Sequence, residues 1–292
     1  MVTLALVNQK GGVGKTTVAL GLAAVAASGG LDVVVVDLDP QSNATTGLGI
    51  ARPAVTVDLA LESDQVGVAE RLMIPAGWDP VPFAGRLRVI AASPALANRE
   101  PQLATDPIGA QDRLHAALEG LDADVVIIDC PPSLGLLTVN GLFAADQAVV
   151  VTEPSAWSVD GVAQILRNVA RVAERRRGAL RVGGIVVNRL ARTRDARYWD
   201  EQLVEAYPDL VVRPPIRLRA AVAEASAQSL PIHALDRAGT DEAIADLEAV
   251  AARLLGPFDS IVLPGAATPE LVGVGPERSP FAARGGGIHG GI

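Results

Sequence analysis

Residues 3–17 read T-L-A-L-V-N-Q-K-G-G-V-G-K-T-T, and the change of texture inside this stretch decides the fold class. Thr3 to Asn8 is a short apolar run of the kind buried as a strand. The glycines after it cannot continue that strand, and an apolar helical pattern then runs from Thr16 to Ala27 until Gly29-Gly30 stops it. A glycine-rich turn between strand and helix lets successive backbone N–H groups point inward, backed by the positive end of the helix dipole, which makes a cradle for phosphate. Within it Lys15 is placed to neutralise the β- and γ-phosphates of a nucleotide, and the Thr16 hydroxyl to ligate Mg²⁺. Gly11, Gly12, Val13, Gly14 and Thr17 complete the loop as candidate nucleotide contacts.

The loop departs from the plain G-x-x-x-x-G-K-[ST] pattern, because the first glycine is missing and a second lysine, Lys10, stands at its start. Lysine is otherwise absent: the chain holds 25 basic residues and all but Lys10 and Lys15 are arginine. Two lysines in one loop of a lysine-poor chain mark places where the compact ammonium is needed and the broad guanidinium fork is not tolerated. Lys10 has no task on its own phosphates that Lys15 does not already fill. It suits reaching across an interface to the nucleotide of a second copy.

Working outward, β-branched runs recur at Asp32 to Leu38, Asp124 to Asp129, Gln147 to Thr152 and Val182 to Asn188, with a shorter candidate at Leu87 to Ala91. Such runs are the mark of parallel strands buried on both faces. Helical patterns lie between them, notably Gln111 to Glu119, Val159 to Arg177 and Ala196 to Tyr207. Strands alternating with helices predict an α/β fold with a doubly wound, mostly parallel sheet. From Gly256 onward the apolar period disappears into Gly, Pro and Ala. The expected organisation is therefore a nucleotide-binding domain over 1–255 and a disordered tail over 256–292.

Magnesium-dependent phosphoryl transfer needs carboxylates at the C-terminal ends of neighbouring parallel strands. The strings D-L-D-P (37–40) and D-C-P-P (129–132) supply them. Asp129, after three apolar residues, takes the metal-contacting position. Asp37 supports the metal shell, and Asp39 is placed to orient the attacking water. Composition narrows the field further. No run of 18 apolar residues is present, so a membrane span is not expected. One cysteine, Cys130, leaves no intramolecular disulfide and no cysteine pair for a metal or iron–sulfur site. It points to core packing in a reducing cytoplasm.

Three strings, K-G-G-V-G-K-T-T (10–17), D-L-D-P-Q-S-N-A-T-T-G-L-G (37–49) and D-C-P-P-S-L-G-L-L-T-V-N (129–140), resemble the ParA/Soj family of deviant-Walker ATPases. The likeness spans residues 2 to about 255, highly specific in these three strings and loose between Arg52 and Gln111. It implies a P-loop ATPase of the deviant Walker A type that takes ATP and Mg²⁺, with Lys10, Lys15 and Asp39 as its catalytic residues. It further implies an ATP-bound homodimer in which Lys10 meets the partner's nucleotide. Asn188 falls at the family's adenine-reading position, and Pro214 and Pro215 open the segment packed on the base. The resemblance also implies nonspecific DNA binding and hydrolysis stimulated by a ParB-like or other cargo-adaptor protein. The expected location is cytoplasmic and nucleoid-associated, with no membrane role. The cargo is a chromosome or plasmid or, alternatively, a microcompartment or chemoreceptor cluster positioned on the nucleoid.

The formal net charge is −8, which argues against a generally sticky polyanion binder. Yet residues 160–222 hold 13 Arg against 7 acidic residues, a balance of +6, so the remainder carries −14. Arg192 in A-R-T matches a DNA-contacting position of the family, and Arg217 and Arg219 lie in the second basic segment. Two departures stand out. The chain starts at its first strand, so an operator-binding helix-turn-helix arm is not expected, and Ser42 stands where the family more often has Gly. A MinD-type membrane ATPase would end in a basic amphipathic helix, iron–sulfur carriers need cysteine pairs, and ATP-dependent amidoligases lack the Lys10 arrangement.

Overall fold

The computed structural model describes residues 1–63, 65–106 and 108–256. The expected tail lies outside the described residues, save for Gly256. Seven strands form one sheet: β1 (Val2–Val7), β2 (Val33–Asp37), β3 (Met73–Pro75), β4 (Leu87–Ile90), β5 (Val125–Asp129), β6 (Gln147–Thr152) and β7 (Arg181–Val187), in the order β3-β4-β2-β5-β1-β6-β7. All pairs are parallel except β3 with β4. The expected doubly wound sheet is present, and its one antiparallel strand is a three-residue edge element too short to show a pattern in the sequence.

Ten α-helices lie among the described residues: α1 (Lys15–Ser28), α2 (Asn43–Gly47), α3 (Asp58–Glu62), α4 (Arg99–Leu103), α5 (Arg113–Leu118), α6 (Leu136–Ala144), α7 (Ser158–Arg175), α8 (Arg194–Ala206), α9 (Ala220–Gln228) and α10 (Thr240–Leu255). The central strands feed two cores by simple alternation. Val33 and Val35 face one layer with Leu4, Leu6 and Ile127, whereas Val34 and Val36 face the other with Ala5, Val7 and Ile128. The first layer is built from α1, α9 and α10, the second mainly from α3, α5, α6 and α7.

Helix α1 is apolar almost all round and buried along most of its length, as befits a helix between sheet and covering helix. Its cover is α10, which the sequence reading did not single out. There Ala243, Leu247, Val250, Ala251 and Leu254 repeat at helical spacing, with Asp241 and Glu242 in the first turn and Arg253 in the last, matching the macrodipole. The two helices approach closely because α1 offers Gly21: a Cβ there would stand 2.7 Å from a Leu247 methyl. Since α1 follows β1 on one face and α6 follows β5 on the other, the connections diverge. They open a crevice at the C-terminal ends of these neighbouring strands, where ligands of open α/β sheets bind.

Candidate nucleotide site

Residues 8–14 link β1 to α1 across this crevice, and the loop is held from both sides. Gly14 has φ +84, a left-handed conformation that a side chain would strain. A Cβ there would also collide with Asn188 Nδ2. Asn188, at the end of β7, donates that amide to the Val13 carbonyl at 2.9 Å. On the other side Asn8 donates to the Val151 carbonyl at 2.6 Å and accepts from the Lys10 backbone N–H at 2.8 Å. Carbonyls and side chains thus brace the outside of the loop.

Lys15 opens α1 and is 7% exposed. Register places Asp37 directly beside Asp129 on neighbouring strands, so burial and mutual repulsion act on both. Asp129 is fully buried; its Oδ2 accepts from the Thr16 hydroxyl at 2.6 Å, and its Oδ1 has no partner among the described residues. Burial is the main cause that raises its pKa to about 7, the Asp37 charge adds to the rise, and Thr16 and Lys15 oppose it. Asp37 is raised to about 6, chiefly by burial. Both its oxygens are engaged: Oδ2 accepts from the backbone and hydroxyl of Thr45 at 2.8 and 2.7 Å, and Oδ1 from the Asp39 backbone at 3.0 Å. Asp37 therefore shapes the loop that carries Asp39, and Asp129 is the carboxylate with an oxygen to spare.

Asp39 is largely buried; its Oδ1 accepts from the Gln41 backbone at 2.9 Å, and Oδ2 makes no hydrogen bond among the described residues. That leaves an acceptor for a water at the mouth of the site. An unpartnered Asp129 oxygen next to the Thr16 hydroxyl fits a magnesium ion, which binds few protein oxygens and takes the rest from water and phosphate. Thr16 and Asp129 would hold the ion, which would supply positive charge against that developing on the phosphates. Cys130 is buried, and burial pushes its thiol far above the usual range, so it stays protonated and inert.

The comparisons agree with this geometry. An AAA domain family model matches residues 1–182. The Soj protein of Bacillus subtilis, a sporulation initiation inhibitor, is 35% identical over 236 residues, covering 78% of this chain and 89% of that protein. The chromosome-partitioning ATPase Soj of Treponema pallidum is 35% identical over 241 residues, covering 80% and 90%. This chain belongs to the ParA/Soj family. Among solved structures, an ATP complex of McdA from Cyanothece matches with a TM-score of 0.74 at 25% identity, covering 87% of this chain and 96% of that one. A Mycobacterium smegmatis chain described as cobyrinic acid a,c-diamide synthase, with bound ATP analogue and magnesium, matches at 0.68 and 34% identity, covering 78% and 92%. As a ParA/Soj member the chain is an ATPase, and ATP and Mg²⁺ are its ligands.

For this ParA/Soj chain the remaining expected residues divide. Pro214 and Pro215 run alongside the end of β7, where the Ile216 backbone donates to the Val187 carbonyl at 2.9 Å, so this segment and Asn188 flank one another. Asn188 spends its amide on the loop, and its Oδ1 accepts no hydrogen bond among the described residues, leaving an acceptor beside those prolines. The Lys10 ammonium pairs with Glu153 at 2.7 Å, and its side chain is 49% exposed. Arg192 and Arg217 are exposed and unpaired among the described residues. Arg219, expected with them as a DNA contact, is placed differently. Its side chain is only 14% exposed and paired with Asp246 of α10 at 3.2 Å, since it stands at the start of α9 where the two helices meet. Ser42 has φ +55, which gives a physical reason for glycine at that position. Two contacts to the loop region escaped the sequence reading: Glu153 to Lys10, and Arg189 to the Gly12 carbonyl at 2.9 Å. Neither has a local motif; each joins segments more than 140 residues apart.

Proposed function

We propose that this ParA/Soj ATPase works as a nucleotide-switched dimer that holds nonspecific DNA while ATP-bound and lets go after slow hydrolysis, so moving a chromosome or plasmid. One observation carries the reading: of the two lysines in the loop, Lys15 is buried at its own phosphate site, whereas Lys10 has a half-exposed side chain whose ammonium pairs with Glu153. A second copy closing on this face would receive Lys10 at its nucleotide, as an arginine finger is received in trans.

Each residue then has a task. The loop N–H groups and Lys15 hold the phosphates, and Thr16 and Asp129 hold the metal side. Asp39 accepts a hydrogen bond from the attacking water and orients it. The half-sites are completed only in the dimer, so DNA binding by Arg192 and Arg217 from two subunits becomes ATP-dependent. A ParB-like or other adaptor protein accelerates turnover, and the protein resides on the nucleoid in the cytoplasm. A related role in positioning another cargo on the nucleoid would use the same site and the same DNA surface.

Gel-shift with random-sequence duplex in ATP, ADP and no nucleotide tests the proposal. Binding in ATP alone is the expected result, and binding that ignores the nucleotide would sink it. A second reading draws on the 34% identity with the chain described as an amide-forming synthase. That reading requires ATP turnover to depend on an amide acceptor and to be indifferent to DNA.

A further inference from the structure

Arg189 lies between the phosphate loop and the arginines proposed to meet DNA. It follows Asn188 directly, so consecutive residues at the end of β7 hold consecutive loop carbonyls: Asn188 that of Val13 and Arg189 that of Gly12, both at 2.9 Å. Arg189 does this from φ +58, a left-handed conformation that costs a non-glycine residue with no local hydrogen-bonding side chain. Beyond it the chain is tied just as firmly. Leu190 donates to the Ile216 carbonyl and accepts from the Leu218 backbone, both at 3.1 Å, pairing in parallel with Arg217. Arg192 follows two residues later. Gly12 is thus joined to the Arg192 segment through one side chain and to the Arg217 segment through that side chain and a backbone ladder.

We infer that Arg189 is a positioning residue through which occupancy of the phosphate loop sets the placement of Arg192 and Arg217. The inference rests on the DNA-binding reading above. The loop presents its N–H groups to phosphate, and the carbonyls of the same peptide units face Asn188 and Arg189. A shift of the Gly12 peptide toward a bound phosphate pulls on the guanidinium behind it. The strained Arg189 backbone is the place where that pull changes the direction of the chain. Coupling of this kind is reciprocal: whatever ATP does for DNA affinity, DNA does for ATP affinity by the same factor.

The test measures affinity for a fluorescent ATP analogue with Mg²⁺, with and without a long random-sequence duplex, in the hydrolysis-blocked Asp39→Ala background. Arg189→Gly is the informative variant, since glycine adopts φ +58 without strain and keeps the backbone path while removing the side chain. With Arg189 present, DNA tightens nucleotide binding. In Arg189→Gly that factor falls to about one, while nucleotide affinity without DNA stays as it was. Three results overturn the inference. An unchanged coupling factor with a salt slope shallower by about one makes Arg189 an ordinary phosphate contact on DNA. Loss of nucleotide affinity with the coupling factor intact confines it to the loop, and loss of ATP-induced dimerisation in sedimentation assigns it to the subunit interface. If the Asp39→Ala parent binds no DNA in any nucleotide state, the DNA-binding reading itself fails, and the wild-type gel-shift shows that separately.

Discussion

Asp129 joins two demands that conflict in the absence of ligand. Its carboxylate must be charged to hold magnesium, yet it is buried beside Asp37, and the fold alone favours its protonated form. A carboxyl whose folded pKa is raised from 3.8 to about 7 binds more protons folded than unfolded. The nucleotide-free protein is therefore stabilised at low pH and loses that contribution as pH rises through about 7. Thermal melts without nucleotide should show stability falling between about pH 4 and 7, with a smaller slope in Asp129→Asn. Metal binding needs the anion, so Mg²⁺ affinity should rise over the same range. The lysines separate by a different measurement. Lys15→Ala should abolish binding of the nucleotide, whereas Lys10→Ala should keep it and lose adaptor-stimulated turnover. Full stimulated activity in Lys10→Ala would exclude the cross-dimer role. Asp39→Ala should bind ATP and accumulate the DNA-bound dimer, seen as a gel-shift that persists long after wild type has released.

At the scale of elements, the segment from β7 through α8 to α9 carries the basic surface, and its arginines do different work. Arg213 pairs with Asp200 and Arg219 with Asp246, which fastens the 213–219 segment to α8 and α10. Arg192 and Arg217 have no such partners among the described residues and face solvent. Arg192→Ala and Arg217→Ala should each weaken DNA binding equally on all sequences and reduce the salt slope by about one, with thermal stability unchanged. Arg219→Ala should instead lower stability, because it leaves the half-buried Asp246 carboxylate without its charged partner. A salt titration and a melt on the three variants decide the division. In the sequence these arginines are alike, since each stands in a short polar segment with no period. Their pairing depends on acidic residues brought up by α8 and α10.

Across the whole molecule, the crevice, Lys10 and Glu153 share the C-terminal edge of the sheet, and Trp157, four residues past Glu153, is 77% exposed on the same loop. The other two tryptophans are placed differently: Trp78 is buried in the core, and Trp199 packs edge-on against Tyr198 in α8. If two subunits close on the phosphate-loop face, Trp157 is the tryptophan that changes environment. ATP with Mg²⁺ should shift its emission to the blue in a concentration-dependent manner, and Trp157→Phe should remove the shift. A change that survives Trp157→Phe would place the dimer contact elsewhere.

Much of this architecture is legible locally. A buried parallel strand needs β-branched residues on both faces, and a phosphate loop needs glycines and a lysine at set spacing. The strings around Lys15, Asp37 and Asp129 therefore reveal both the sheet and the place of its ligand. Helix α10 and the edge strand β3 were not read that way: one lacks a motif and the other is too short for a period. The partners of Lys10, Arg189 and Arg219 are equally invisible, for they join residues far apart in sequence. An ion pair or a brace depends on which segments meet in space, and long-range packing brings Glu153 to Lys10, Gly12 to Arg189 and Asp246 to Arg219.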